Sequence, residues 1–185
     1  MLCLDSLKAL AKVLSRDENK THTLPVIIQS AEDKSWRVRL ALSKNFSEIA
    51  ESFAKEITDL SLIQTFSTLL KDVENDVKIE ATKSLNKFVK IVSGDKLNLL
   101  FPIMLTLGKD VYPNIRTQIA SVLGNIIGAV AKDIVYQKFL PLIVELSKDD
   151  NQEVRREAIN AAARCGEALG AEAINSIVPI FKSGT

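Results

Sequence analysis

Apolar residues recur along the chain at steps of four, four, three and four, which is the spacing of one face of an α-helix. This stripe appears four times, and each copy is preceded by a shorter apolar segment of the same kind. No stretch shows the alternation of apolar and polar residues that is typical of β-strands. The four stripes are Val38, Leu42, Phe46, Ile49 and Phe53; Val77, Ala81, Leu85, Phe88 and Val92; Ile115, Ile119, Leu123, Ile126 and Val130; and Val154, Ala158, Ala162, Cys165 and Leu169.

A short polar motif keeps the same period of 38 or 39 residues. In each copy an aspartate is followed five residues later by Val or Ile, and then directly by Arg or Lys. The pairs are Asp33 and Arg39, Asp72 and Lys78, Asp110 and Arg116, and Asp149 and Arg155. These coincident periods predict tandem repeats of helix A, a turn with the aspartate, and helix B. One helix pair cannot bury both of its faces, so the predicted fold is an all-α solenoid of stacked antiparallel pairs.

The period also predicts how the chain divides. Residues 1–17 are expected to form a helix B, residues 18–55, 56–94, 95–132 and 133–171 four complete repeats, and residues 172–185 a helix A. Three copies carry a proline eight residues before the aspartate, at Pro25, Pro102 and Pro141. We expect it near the start of helix A, where a missing N–H is tolerated. Neither end shows the polar face of a capping repeat, which indicates a piece of a longer array.

Composition and charge exclude several classes of protein. The net charge of +1 argues against a surface that coats nucleic acid, because such surfaces cluster positive charge. Two distant cysteines cannot form a disulfide framework, so a reducing compartment is expected. The longest apolar stretch is too short and too interrupted to span a bilayer. We therefore expect a soluble intracellular protein, located in the cytoplasm and with the nucleus as a second location.

The sequence offers no constellation for catalysis or metal binding. His22 is the one histidine, and with two distant cysteines it cannot assemble a three- or four-ligand metal site. Cys165 lies in an apolar stripe and Cys3 falls at a matching position, so both are expected in the core. Gly124 and Gly128 lie inside a helical pattern and do not form a phosphate-binding loop. The expectation is a protein that is not an enzyme and that uses no cofactor or metal.

The repeated charged pairs are best explained by structure. Each aspartate can accept backbone N–H groups, either as a turn acceptor or as the N-cap of helix B. Each following Arg or Lys can reach the aspartate of an adjacent repeat. We call the resulting series of ion pairs the ladder. It is expected to comprise all eight charged residues of the motif, namely Asp33, Arg39, Asp72, Lys78, Asp110, Arg116, Asp149 and Arg155.

The turn residues that follow each aspartate differ between copies, although their flanks repeat, so packing does not fix them. Stacked repeats would place these turns along one edge, which we call the turn edge. Trp, Tyr and Arg are favoured anchors in protein interfaces; the alternative for Trp36 is that its ring folds onto its own helices. The residues expected to contact a protein partner are Lys34, Trp36, Arg37, Glu74, Asn75, Tyr112, Pro113, Asn151 and Gln152.

The helix pair with Asp-x4-Val-Arg between its helices is similar to the HEAT repeat. Residues 31–39, Ala-Glu-Asp-Lys-Ser-Trp-Arg-Val-Arg, resemble a repeat from the middle of the scaffold (A) subunits of protein phosphatase 2A. Residues 140–146 with Val154 and Arg155 look like the same family. The resemblance implies a non-catalytic scaffold that binds regulatory (B-type) and catalytic phosphatase subunits through its intra-repeat turns. It also implies that a middle piece retains more of the regulatory contact than of the catalytic one.

Two other functions remain open from the sequence. A HEAT-repeat transport or chromosome-organising adaptor would bind proteins on the concave face made by its helices B. A nucleic-acid-binding HEAT protein would need a continuous basic groove. Lys83, Lys87 and Lys90 form a basic face on one predicted helix B. Acidic residues on the other helices interrupt it, namely Glu48, Glu51, Glu157 and Glu167.

Overall fold

The computed structural model describes residues 2–170, 175, 177 and 178, with backbone alone for residues 2–5. Helices make up the secondary structure of this part of the chain, and it contains no strand, which confirms the predicted all-α class. None of the described helices is long and apolar enough to cross a membrane. Most of the helix predicted for residues 172–185, and the side chain of Cys3, lie outside the described residues. Two compact units divide the chain, residues 1–100 and 101–185.

The first unit contains two A helices and three B helices of the predicted pattern. Its first B helix is α1, and the A helices are interrupted by π-helical turns. The bounds are α1 Leu2–Val13, α2 Arg16–Glu18, a π-turn Asn19–Thr23, α3 Leu24–Ala31, α4 Trp36–Ala50, α5 Lys55–Ile57, a π-turn Thr58–Leu62, α6 Ile63–Leu70, α7 Asn75–Phe88 and a 3-10 turn Leu97–Leu99. Helix α4 packs between α1 and α7, and α3 packs beside α6.

The second unit repeats the same order of elements. Helices α9 and α12 pack side by side as the two B helices of this unit. The bounds are α8 Phe101–Leu107, α9 Pro113–Ile126, a 3-10 turn Ile127–Ala129, α10 Lys132–Ile134, a π-turn Val135–Phe139, α11 Leu140–Leu146 and α12 Gln152–Leu169. Gly170 ends α12 with a φ of 62°, a conformation that glycine adopts without strain.

The three prolines lie where the sequence predicts, each at the second residue of its helix, in α3, α8 and α11. Before α3 and α11 the structure adds a short helix and a π-turn, over residues 16–23 and 132–139. Each π-turn ends two residues before the proline, and a wider turn re-routes the hydrogen bonds where a proline lacks its N–H. The second repeat has the π-turn with Gln64 instead of proline, so proline is not its sole cause.

The cores consist of the predicted stripes with a few exceptions. In the first unit Phe46, Phe66 and Phe88 form one aromatic cluster with ring centroids 4.5–5.5 Å apart. Val38 is half-buried, whereas its counterparts in later repeats are fully buried. Val130 is also half-buried, and its backbone is extended. The other stripe residues are buried, including Phe53 and Val92, which lie beyond the last residues of α4 and α7.

Neighbouring B helices approach closely through small residues. In the first unit the Ser47 hydroxyl donates to the Ser84 carbonyl and the Ser84 hydroxyl donates to the Ser43 carbonyl, both at 2.7 Å. In the second unit Gly124 lies against α12, and a Cβ added there would sit 3.2 Å from the Cα of Ala161. Small side chains at these positions allow the helices to pack at short distance.

Candidate protein-binding edge

Each of the four turns between helices A and B is built on its aspartate. The Asp33 carboxylate accepts the backbone N–H of Ser35 at 2.7 Å, and the other three aspartates accept the N–H two residues on at 2.9–3.0 Å. This is an Asx-turn, so the aspartate is a turn acceptor and not the N-cap. The N-cap positions belong to Ser35, Glu74, Tyr112 and Asn151. Asn151 is the one whose side chain caps, accepting the N–H of Glu153 at 2.9 Å.

Within each unit one arginine joins two successive turns. In the first unit Arg39 donates to both carboxylate oxygens of Asp72, at 2.6 and 2.9 Å, and to the carbonyl of Asp33 at 2.7 Å. In the second unit Arg116 donates to both oxygens of Asp149 at 2.7 Å, and to the Asp110 carbonyl at 2.8 Å. Two-pronged contacts of this kind fix orientation as well as distance. The arginine thus holds its own turn and the next turn together.

The remaining basic residues of the motif occupy corresponding places in their turns. Arg155 donates to the carbonyls of Asp149 and Asp150, at 2.7 and 2.9 Å. Within the described part of the chain it donates to no carboxylate. Lys78 lies half-buried in the second turn of α7. The structure therefore brings Arg39 to Asp72 and Arg116 to Asp149, and the other predicted members of the ladder stay predictions.

The two ion pairs shift the pKa values of their members. Burial by itself would raise the pKa of Asp72, but hydrogen bonds from Arg39 and from backbone N–H groups, together with the arginine charge, lower it overall. Hydrogen bonds from Arg116 lower the pKa of Asp149 against the opposing effect of burial. The pKa values of Arg39 and Arg116 are raised in turn, chiefly by the hydrogen bonds to their aspartates. Both pairs are fully ionised at neutral pH.

The predicted contact residues lie in these turns with different degrees of exposure. Trp36 is half-buried, and the guanidinium of Arg37 lies 5.0 Å from its ring centre. That distance is typical of a cation–π contact. Trp36 thus has one face covered by its own neighbour and part of its surface open. Of the others, the exposed ones are Lys34, Glu74, Asn75 and Gln152, and the half-buried ones are Tyr112, Pro113 and Asn151.

The most exposed large apolar side chains of the described residues lie outside the set of contact residues expected from the sequence. Val73 is 88% exposed and Val111 is 81% exposed. Both directly follow the aspartate of their turn, where the other copies have Lys34 and Asp150. An apolar residue at a turn position that is otherwise charged is the signal that could have identified them. Each valine adds exposed apolar area to the turn of its own unit.

A groove opens beside the ladder in the second unit, with a volume of about 430 Å³. Its lining includes Arg116, Asp149 and Asp150 from the ladder and its turn, and Val111 from the preceding turn. Lys109 and Glu145 form an ion pair of 2.8 Å at its side. The turn edge is therefore not flat here, and a partner side chain could enter between the two turns.

Residues considered for chemistry do not assemble a reactive site in the described part of the chain. Burial raises the pKa of the Cys165 thiol to about 11, so almost none of it is thiolate near neutral pH. His22 lies exposed in the first π-turn. No group of three or more His, Cys, Asp or Glu residues with metal-binding geometry occurs among the described residues.

Comparison with known proteins places this geometry among helical repeats. Residues 23–53 match the HEAT repeat family, and they cover α3, the first Asx-turn, α4 and Phe53. The human beta isoform of the 65 kDa regulatory (A) subunit of serine/threonine-protein phosphatase 2A is 30% identical over 120 residues, which is 62% of this chain. The chain spans about a fifth of the length of that relative, since the match covers 20% of it.

Solved structures superpose on nearly the whole chain. Cex1p matches with a TM-score of 0.76 and 22% identity, over 93% of this chain and 33% of its own. Kap121p bound to RanGTP matches with a TM-score of 0.76 and 18% identity, over 97% of this chain and 19% of its own. These likenesses concern the fold. They confirm the predicted fold class: an all-α solenoid of antiparallel helix pairs that contains a HEAT repeat.

Proposed function

We propose that this chain acts as a non-catalytic scaffold that binds the regulatory (B-type) and catalytic subunits of a protein phosphatase 2A holoenzyme through its turn edge. The observation that carries this proposal is the 30% identity to the human 65 kDa regulatory protein over 120 residues. The proposed contact residues are those expected from the sequence, with Val73 and Val111 added because of their exposure.

The geometry of the turns supports a role in binding proteins. The ladder arginines use their hydrogen bonds to hold the turns, at distances of 2.6–2.9 Å to their carboxylates. The side chains between them are then displayed on a fixed backbone, which lowers the entropy lost when a partner binds. Trp36 and Arg37 have the chemistry of interface anchors and lie in the first of these turns.

Binding to purified phosphatase subunits tests the proposal. The chain is immobilised, and B-type regulatory subunits or catalytic subunits are passed over it separately while binding is recorded. We expect the regulatory subunits to bind, and the catalytic subunits to bind more weakly. Circular dichroism first checks that the chain has the helical content of the structure. If such a folded chain binds neither kind of subunit, the proposal is contradicted.

A second function has support from a different observation. Kap121p superposes on 97% of this chain, and its structure was solved with RanGTP bound. A HEAT-repeat transport or chromosome-organising adaptor would bind proteins on the faces of helices B and not through the turns. The same experiment discriminates the two functions when RanGTP is included as a third analyte. Binding of RanGTP without binding of the phosphatase subunits would favour the adaptor.

A further inference from the structure

Lysines cluster on the exposed side of the three B helices of the first unit. We call this cluster the basic face and define it by Lys8 and Lys12 of α1, Lys44 of α4, and Lys83, Lys87 and Lys90 of α7 and the turn after it. All are exposed except Lys8, whose side chain is 27% exposed. Helices α1, α4 and α7 lie side by side, so these residues share one surface.

The charges around Glu48 show that the lysines converge. Lys8 contacts the Glu48 carboxylate directly, and the amine of Lys87 lies 4.0 Å from it. The hydrogen bond from Lys8 and the charges of Lys8, Lys87 and Lys12 lower the pKa of Glu48. One carboxylate of α4 is thus surrounded by lysines from both neighbouring helices. Lys44 precedes Glu48 by one helical turn, and Lys83 precedes Lys87 by the same step, so they extend the surface.

The acidic residues of this surface leave it with a positive balance. Glu80 is paired with Lys83 at 2.7 Å, and Glu51 lies one turn beyond Glu48. Among the side chains that the structure describes on this surface, these two glutamates and Glu48 face six lysines. The whole chain has a net charge of +1, so the excess is local. Like charges held this close raise the free energy of the unbound face, and an anionic ligand would relieve it.

The second unit does not repeat these lysines. The positions of Lys83 and Lys87 recur one period later as Ser121 and Asn125 on α9. Asn125 accepts a hydrogen bond from Arg164 of α12, in the way that Glu48 pairs with Lys87 of α7. The repeated pattern of the B helices therefore does not fix lysine at these two positions.

We propose that the basic face binds an acidic peptide segment in extended conformation, crossing α7, α4 and α1. Packed helices lie about 10 Å apart. An extended peptide in the polyproline II conformation advances about 3.1 Å per residue and has three residues per turn, so every third side chain faces the same side and meets a new helix. The matching segment carries Asp or Glu at every third position over about seven residues. This site is independent of the turn edge.

Peptide is favoured over nucleic acid by the chemistry of the face. Glu48 and Glu51 lie among the lysines and would repel a continuous run of phosphates. The defining residues include no aromatic side chain, and single-stranded nucleic acid relies on aromatic stacking. Spaced carboxylates can meet the lysines and leave a neutral residue opposite each glutamate. The pattern of mixed charge therefore fits an acidic peptide.

Fluorescence anisotropy with the full chain tests this proposal. The probe is a labelled peptide of four Glu-Gly-Ser units, with four Lys-Gly-Ser units and a 12-nucleotide single-stranded DNA as comparisons. We expect the glutamate peptide to bind more tightly than the other two probes. Its affinity should fall as the salt concentration is raised. If the DNA binds more tightly, the ligand of this face is nucleic acid and the proposal is overturned. The proposal also fails if the glutamate peptide does not bind at low salt.

Two charge reversals locate the binding. The double variant Lys83→Glu with Lys87→Glu should lower the affinity for the glutamate peptide by about tenfold or more, since two cations become anions. Lys132→Glu with Lys138→Glu is the matched control, because both lysines are exposed and lie in the second unit. Equal loss in the two double variants would show a general charge effect and contradict the basic face. Trp36→Ala should leave peptide binding unchanged, which separates this site from the turn edge.

Discussion

At the scale of single residues, two part-buried arginine–aspartate pairs each join two successive turns. The side chains of Asp72 and Asp149 are 5% and 10% exposed, so an unpaired charge at either place would be poorly solvated. Each arginine also satisfies a carbonyl of its own turn. Removing one arginine therefore leaves a partly buried carboxylate and a free carbonyl together.

Arg116→Ala should lower the free energy of unfolding by about 2 kcal/mol, the scale of hydrogen bonds to charged groups. Urea denaturation followed by circular dichroism measures the change. Arg155→Ala is the matched control, because Arg155 makes the same carbonyl contacts but donates to no carboxylate within the described residues. Arg155→Ala should therefore have the smaller effect. If the two variants unfold at the same urea concentration, the Asp149 contact does not stabilise the protein.

The lowered pKa of Asp149 predicts a dependence of stability on pH. A carboxylate with a lower pKa in the folded state stabilises the protein fully above its unfolded pKa of about 3.9. That contribution is lost as the pH falls through the folded pKa. We expect the difference in urea midpoint between wild type and Asp149→Asn to be largest at pH 7 and to shrink below about pH 4. If the difference in urea midpoint stays constant down to pH 3, the charge of Asp149 does not stabilise the folded protein.

At the scale of helices, close packing of α9 on α12 depends on Gly124. The added methyl of Gly124→Ala would lie 3.2 Å from the Cα of Ala161, which is backbone and cannot rotate away. Although alanine favours helix over glycine, we expect a net loss of about 1 kcal/mol, at the low end for overpacked sites. Gly128→Ala is the control, because a Cβ there meets nothing within 4 Å. A thermal midpoint for Gly124→Ala at or above that of Gly128→Ala would contradict this account.

The sequence predicts the helices and their buried faces well, because a period near 39 residues and the helical spacing of apolar residues are both local patterns. It places Pro25 and Pro141 correctly near the start of α3 and α11, since proline is tolerated at a helix start. The short helices and π-turns that come before α3 and α11 leave no simple mark in the sequence. Val73 and Val111 were missed for another reason: their exposure depends on how the turn projects and not on residue type.

At the scale of the whole molecule, we propose two kinds of surface for partners. The turns display Trp36, Arg37 and the exposed valines beside the arginine–aspartate pairs. The B helices of the first unit display the lysines of the basic face. The repeated helix pairs explain how one chain can carry both, because turn residues and outer helix residues are free to differ once the stripes are packed.

The affinity of Trp36→Ala for a B-type regulatory subunit tests the central claim, that partners bind at the turn edge, most directly. We expect the change to weaken binding by about 2 kcal/mol, the scale of an interface anchor. Tyr136→Ala is the matched control, because this aromatic side chain is 47% exposed on an A helix away from the turns. It should bind like the wild type, and both variants should retain wild-type helical content. Full affinity in a well-folded Trp36→Ala protein, or an equal loss in Tyr136→Ala, would contradict the claim.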